Sequence, residues 1–156
     1  MILNVVACAL ATLGCSPGDE LTQVRGKVFV GDAPSTKGTG FVTFHPDDKK
    51  GNKSLEEAVG AIQPDGTYVL ETRGKSGVAG GWYKVGVSVA EVMDPDNPYV
   101  TKWLMPDPDK YQDWNRSGIS IEVVDKPEEG QYDIKLPALT TPPVESGVPS
   151  TPASSP

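Results

Sequence analysis

The chain is 156 residues long, with a formal net charge of -7 at pH 7, 17 glycines, 15 prolines and one histidine. That length suits one domain with tails, and so much Gly and Pro without a long helical period favours short strands and turns. Nucleic acid is excluded as a partner, because phosphate recognition needs a concentrated basic face and no extended run of Lys and Arg occurs.

Residues 1–14, MILNVVACALATLG, carry no charge and are nearly all apolar up to Cys15. A transmembrane helix needs about 20 such residues, so this stretch is too short to span and has the size of an export-signal core. Leu13-Gly14-Cys15-Ser16 then resembles the lipobox of bacterial lipoproteins. The resemblance implies a signal peptide over 1–14, lipid on Cys15, a short tether over 15–21 and a bacterial cell-envelope location with the membrane as partner. Ser16, in place of the aspartate that commonly marks inner-membrane retention, implies an outer-membrane or periplasmic destination. An ordinary cleaved signal and a short buried strand are the alternatives. With Cys8 in the leader and Cys15 lipidated, the mature domain has no disulfide to form, and its stability rests on packing.

Strands are expected over Val24–Val30 and over Gly40–His45, the second stopped by Pro46, which cannot donate to a ladder. A solvated loop, 47–54, leads to Leu55–Ile62, read as a strand with a short helix over Leu55–Ala61 as the alternative. Pro64-Asp65-Gly66 is a hairpin turn, since glycine takes positive φ without a Cβ clash, and Thr67–Thr72 is the returning strand. The organising element is Gly80–Val92. Tyr83, Val85, Val87 and Val89 alternate with Lys84, Gly86 and Ser88, the period of a half-buried strand. Ile119–Val124 and Gln131–Leu136 complete the set, the latter alternating Tyr132, Ile134 and Leu136 with Asp133 and Lys135. These stretches predict an all-β fold: a single antiparallel Ig-like or prealbumin-like β-sandwich of about seven strands, spanning 22–136.

Between the last long strands lies Met93–Gly118, MDPDNPYVTKWLMPDPDKYQDWNRSG. Loops of that length in a compact domain are uncommon and tend to be functional. Tyr99, Trp103, Tyr111 and Trp114 make it a candidate recognition surface for an envelope protein or a glycan, with a structural crossover as the plainer reading. Asp94, Asp96, Asp107 and Asp109 are weak calcium candidates, since carboxylates suit a hard cation but their spacing is not that of an EF-hand loop. The tail, 137–156, is dominated by Pro, Ser and Thr and is expected to be disordered.

Four pieces occur in a familiar order: Val24-Arg25-Gly26-Lys27-Val28 with Gly31-Asp32, Val42-Thr43-Phe44-His45-Pro46, Pro64-Asp65-Gly66-Thr67-Tyr68, and Trp82-Tyr83-Lys84-Val85-Gly86-Val87. With Lys110–Ile119, they resemble the carboxypeptidase-regulatory-like, transthyretin-like domain of bacterial envelope lipoproteins. The resemblance implies a prealbumin-like sandwich on a lipid anchor, mostly without enzymatic activity, and carries no catalytic residue.

The chemistry legible in the residues is sparse. His45 has no second histidine, so ordinary zinc and copper ligand sets are not expected, and no Gly-x-Ser-x-Gly elbow occurs. His45 reads as an inert strand-end residue. Gly74-Lys75-Ser76 lacks the upstream glycine of a phosphate loop, with Val69 in its place. Asn52-Lys53-Ser54 and Asn115-Arg116-Ser117 match the glycosylation acceptor pattern by composition alone. The expectation is a non-enzymatic, cofactor-free, lipid-anchored binding or structural module. The alternative is a secreted carbohydrate-binding module using the 93–118 aromatics.

Overall fold

The computed structural model describes residues 20–35 and 37–139. The signal segment expected over 1–14, Cys15 and the tail from residue 140 onward lie outside the described residues. In chain order the elements are β1 (Leu21–Thr22), β2 (Arg25–Val30), β3 (Ala33–Pro34), β4 (Thr39–Pro46) and a 3-10 turn (Asp48–Lys50). β5 (Ala58–Ile62), β6 (Thr67–Val69), β7 (Glu71–Thr72), β8 (Lys75–Ser76) and β9 (Val78–Ala79) follow. The rest are β10 (Gly81–Val92), β11 (Thr101–Trp103), helix α1 (Pro108–Tyr111), β12 (Ser120–Val123) and β13 (Ile134–Leu136).

The fold is mostly β, and its sheets are antiparallel with one exception. The largest sheet runs β11-β10-β4-β5-β7-β8, with β12 also paired to β10. A second groups β13, β2 and β3, with β6 paired to β2, and β1 pairs with β9 separately. The buried faces of both main sheets contribute to one hydrophobic core. From β10 come Tyr83, Val85, Val87 and Val89, none more than 1% exposed, as the period-two reading requires. Phe44 of β4 packs on Tyr83 with ring centroids 5.8 Å apart, and Val28, Tyr68, Ile134 and Leu136 enter from the second sheet. Each such side chain contributes about 1.5–3 kcal/mol by leaving water.

Three expectations need correction. β13 runs parallel to β2, with Ile134 opposite Val28 and Leu136 opposite Val30, so the fold is not purely antiparallel. The 124–133 connection carries the chain from the large sheet to the second one. Tyr132 pins it, its hydroxyl bonding Val124 N and O and its carbonyl accepting the Tyr68 hydroxyl at 2.5 Å. Thr67–Thr72 is not one strand: β6 pairs with β2, whereas β7 pairs with β5 and β8, and the buried Leu70 marks the change of sheet. The strand expected over Leu55–Ile62 forms only over Ala58–Ile62, where Ala58, Gly60 and Ile62 alternate inward along five rungs with β4. This rules out the helix alternative over Leu55–Ala61, and Leu55, ahead of the strand, is 93% exposed. At the turn after β5, Gly66 adopts φ 82° and Asp65 Oδ1 accepts from Thr67 N and Oγ1, the expected turn chemistry.

Candidate functional site

Residues 93–118 are not one loop. Tyr83 and Lys84 pair with β4 on one side and β12 on the other, and Ala90 likewise pairs with β4 and β11. β11 and β12 therefore share one edge of β10, and the chain between them runs along residues 85–89 of that edge. It bonds to Val85 and Val89 through four contacts. Val85 N donates to Ile119 O at 3.0 Å, and Ser117 Oγ donates to Val85 O at 2.6 Å. Leu104 N donates to Val89 O at 3.0 Å, and Val89 N meets Met105 Sδ at 3.1 Å. Residues 104–119 thus form a crossover that caps the strand edge.

That crossover separates the four aromatics proposed as a surface. Tyr99 is 90% exposed in the β10–β11 connection, Trp103 lies in β11 partly buried against the core, and Tyr111 at the end of α1 is buried. Three of the four therefore contribute no shared face, because each is fixed by a different element. The calcium candidates do not converge either: among the described residues no three His, Cys, Asp or Glu side chains form a ligand group. Asp94 Oδ1 accepts from Asp96 N at 2.9 Å, and the Asp107 carbonyl accepts from Lys110 N and Tyr111 N at the start of α1. These are turn and helix-start roles.

Trp114 is different. The crossover passes directly over Gly86 on the outer face of β10, where a Cβ would lie 2.8 Å from Gln112 O and 3.5 Å from Trp114 N. Only glycine admits so close an approach. The indole is thereby laid on His45, with ring centroids 3.6 Å apart and planes within 9°. His45 and Lys84 are cross-strand partners, and Lys84 in turn faces Ser120. The pleat sends all three outward. His45 Nδ1 is hydrogen-bonded to Glu57 Oε1 at 2.5 Å. Lys84 Nζ stands 5.2 Å from the Trp114 ring centroid and donates to Asn115 Oδ1 at 3.1 Å. Stacking and cation–π contacts of this kind are each worth about 0.5–1.5 kcal/mol, enough to hold the plate in place. His45, read from the sequence as an inert strand-end residue, is the support on which the indole rests, a pairing hidden in the sequence because 69 positions separate it from Trp114.

A second tryptophan, absent from the expected site, lies on the same face. Trp82 is two residues before Lys84, roughly 7 Å along the strand, and Lys50 Nζ sits 3.8 Å from its ring centroid while donating to Ser120 Oγ at 2.8 Å. Each tryptophan lines its own open cleft, and the 48–54 loop contributes to both. The Trp114 cleft encloses about 460 Å³, with His45, Lys49, Lys84 and Asn115 in its walls. The Trp82 cleft encloses about 500 Å³, with Lys50, Lys53 and Glu122 in its walls. Ser54 lines both. Asn52, the first residue of one pattern-matching Asn-x-Ser triplet, is buried, its amide donating to Trp82 O and its Oδ1 accepting from Ser54 N. It braces the loop that both clefts share.

Chemically, this face offers flat apolar plates edged by fixed amines and amides. His45 has its Nδ1 on a carboxylate and its ring under an indole, and no hydroxyl or thiol among the described residues is hydrogen-bonded to it. Comparison with protein-family models, with curated proteins and with solved structures found no match to this chain.

Proposed function

We propose that this chain is an exported, lipid-anchored envelope module that binds a ligand without transforming it, through the outer face of its large sheet. The observation that carries the binding role is Trp114, held flat on His45 beside Lys84 and Asn115 at an open cleft. A partly solvated indole braced from below, with hydrogen-bond donors at its rim, matches saccharide recognition: sugar rings stack on the plate and hydroxyls meet the amines and amides. The lipid anchor is supported by Leu13-Gly14-Cys15-Ser16 and by the short tether from Cys15 to β1. Two sheets sharing one core support a prealbumin-like sandwich of the carboxypeptidase-regulatory-like type.

Two measurements test this reading. Cys15→Ala is expected to move the protein from the membrane to the soluble fraction, and unchanged membrane association would refute the anchor. Electrophoresis through polysaccharide-containing gels is expected to show retardation that is lost in Trp114→Ala, whereas equal mobility with and without polysaccharide would refute saccharide binding. A second reading holds for the remainder of 104–119. Its contacts along Val85–Val89 favour a structural role there, with only Trp114 and Asn115 facing a ligand.

A further inference from the structure

We infer that the two tryptophan clefts form one continuous site for an anionic polysaccharide, its sugar rings on Trp82 and Trp114 and its carboxylate or sulfate groups on the flanking lysines. This inference rests on the saccharide-binding reading above and adds the ligand's charge and the second subsite.

Charge is the first observation. The chain is acidic overall, with 21 Asp and Glu against 14 Lys and Arg. The clefts reverse that balance: Lys49, Lys50, Lys53 and Lys84 line them, against the carboxylates Asp48 and Glu122. Among the described residues the ion pairs are His45–Glu57 and Arg73–Glu56, so none of these four lysines is neutralised by a carboxylate. Local excess of one sign in a cleft raises the concentration of the opposite charge there.

Pre-organisation is the second observation. Lys50 is held between Trp82 and Ser120, and Lys84 between Trp114 and Asn115. Each tryptophan thus carries a fixed ammonium group at its ring, and the pattern is repeated on one sheet face. A cation already seated loses little freedom when an anion arrives. Lys49 and Lys53, on the intervening loop, add charge between the two plates.

Continuity is the third. Ser54 lines both clefts, and the same 48–54 loop walls each of them. A ligand long enough to touch both plates gains from each without a second association cost. Short fragments are therefore expected to bind far more weakly than polymer.

The test uses the full-length chain with polygalacturonate as the anionic probe and dextran as the neutral one, in affinity gels and calorimetry. Polygalacturonate is expected to bind at least tenfold more tightly than dextran, and to weaken at least tenfold between 50 and 200 mM salt. Lys49→Glu with Lys53→Glu, both on the loop surface, is expected to weaken it tenfold or more with an unchanged thermal midpoint. Trp82→Ala and Trp114→Ala, checked for folding by circular dichroism, are each expected to weaken binding tenfold or more. Equal binding of dextran and polygalacturonate would overturn the anionic assignment while leaving saccharide recognition standing. Tight polygalacturonate binding indifferent to the lysine reversal would place the site elsewhere and overturn the inference. Failure of the folded wild type to bind either polymer would overturn both the inference and the saccharide reading beneath it.

Discussion

Strand β10 and the crossover along its edge, residues 104–119, lie side by side but are held by different physics. β10 is fixed by what its side chains do every second residue: Tyr83, Val85, Val87 and Val89 enter the core and need no partner in particular to justify a strand. The crossover is fixed by individual contacts, namely Ser117 Oγ on Val85 O, Met105 Sδ on Val89 N, and the bare backbone of Gly86 beneath Gln112 and Trp114. Periodic burial specifies the strand redundantly, so no single residue is needed to define it, whereas each contact of the crossover has no substitute. The proposed binding face belongs to both regions, with Trp82 and Lys84 supplied by the strand and Trp114 and Asn115 by the crossover.

Single substitutions separate what holds the two regions. The largest effect is expected from Phe44→Ala, which removes a fully buried ring against Tyr83 and should cost about 3–5 kcal/mol in urea unfolding. It should loosen strand and crossover together, because both rest on that core. Gly86→Val should instead act on the crossover alone. Its side chain would meet backbone atoms that cannot swing away, costing about 1–3 kcal/mol. Tryptophan fluorescence should report Trp114 leaving His45 while far-ultraviolet circular dichroism keeps its β signature.

Ser117→Ala is a finer cut. The hydroxyl is buried, donates to Val85 O and accepts from Ile119 N, so its loss leaves two backbone groups short and should cost about 1–3 kcal/mol. Hydrogen exchange should rise first at Ile119 and its neighbours.

The smallest effect at neutral pH concerns the other crossover, 124–133. There Tyr68 donates to Tyr132 O, and Tyr68→Phe should cost about 1 kcal/mol. Burial, with a further contribution from Asp133, pushes the Tyr68 phenol above its ordinary value near 10. The unfolded tyrosine ionises near pH 10 and the folded one does not, so the unfolded state binds fewer protons above that pH. The Tyr68 contribution is therefore complete below pH 10 and is lost as pH rises further, by up to about 1.4 kcal/mol per unit. Base denaturation of Tyr68→Phe should be correspondingly shallower, which pH-dependent unfolding curves would measure.

The strands were legible because their signals are local. Alternation marks Gly80–Val92 from neighbours alone, and Asp65-Gly66 marks its turn, whereas of the expected strand Gln131–Leu136 only Ile134–Leu136 forms and Gln131–Asp133 belong to the turn before it. The parallel register of β13 on β2 was not, because Ile134 opposite Val28 is a long-range choice set by how the 124–133 connection crosses between sheets. At the site, Trp114 was singled out as an aromatic in a polar loop, but His45, Lys84 and Trp82 were not grouped with it. Their shared face depends on the register of β4 with β10 and on where the crossover lands. One signal was available: Trp82 and Lys84 occupy outward positions of the longest alternating strand, where a large aromatic is not needed for the core. Conversely, Tyr111 sits in the same polar loop as Trp114 and is buried, so aromatic content alone cannot separate ligand contacts from packing.

The most direct test of the account is nuclear magnetic resonance of the three tryptophan indole N–H groups in the full-length chain during titration with polygalacturonate, with dextran as the neutral comparison. The account predicts that Trp82 and Trp114 shift together and saturate at one ligand concentration, while Trp103, set in β11 against the core, stays still. Shifts at Trp103 with Trp82 and Trp114 unmoved, or no shift at any indole with either polymer, would contradict it.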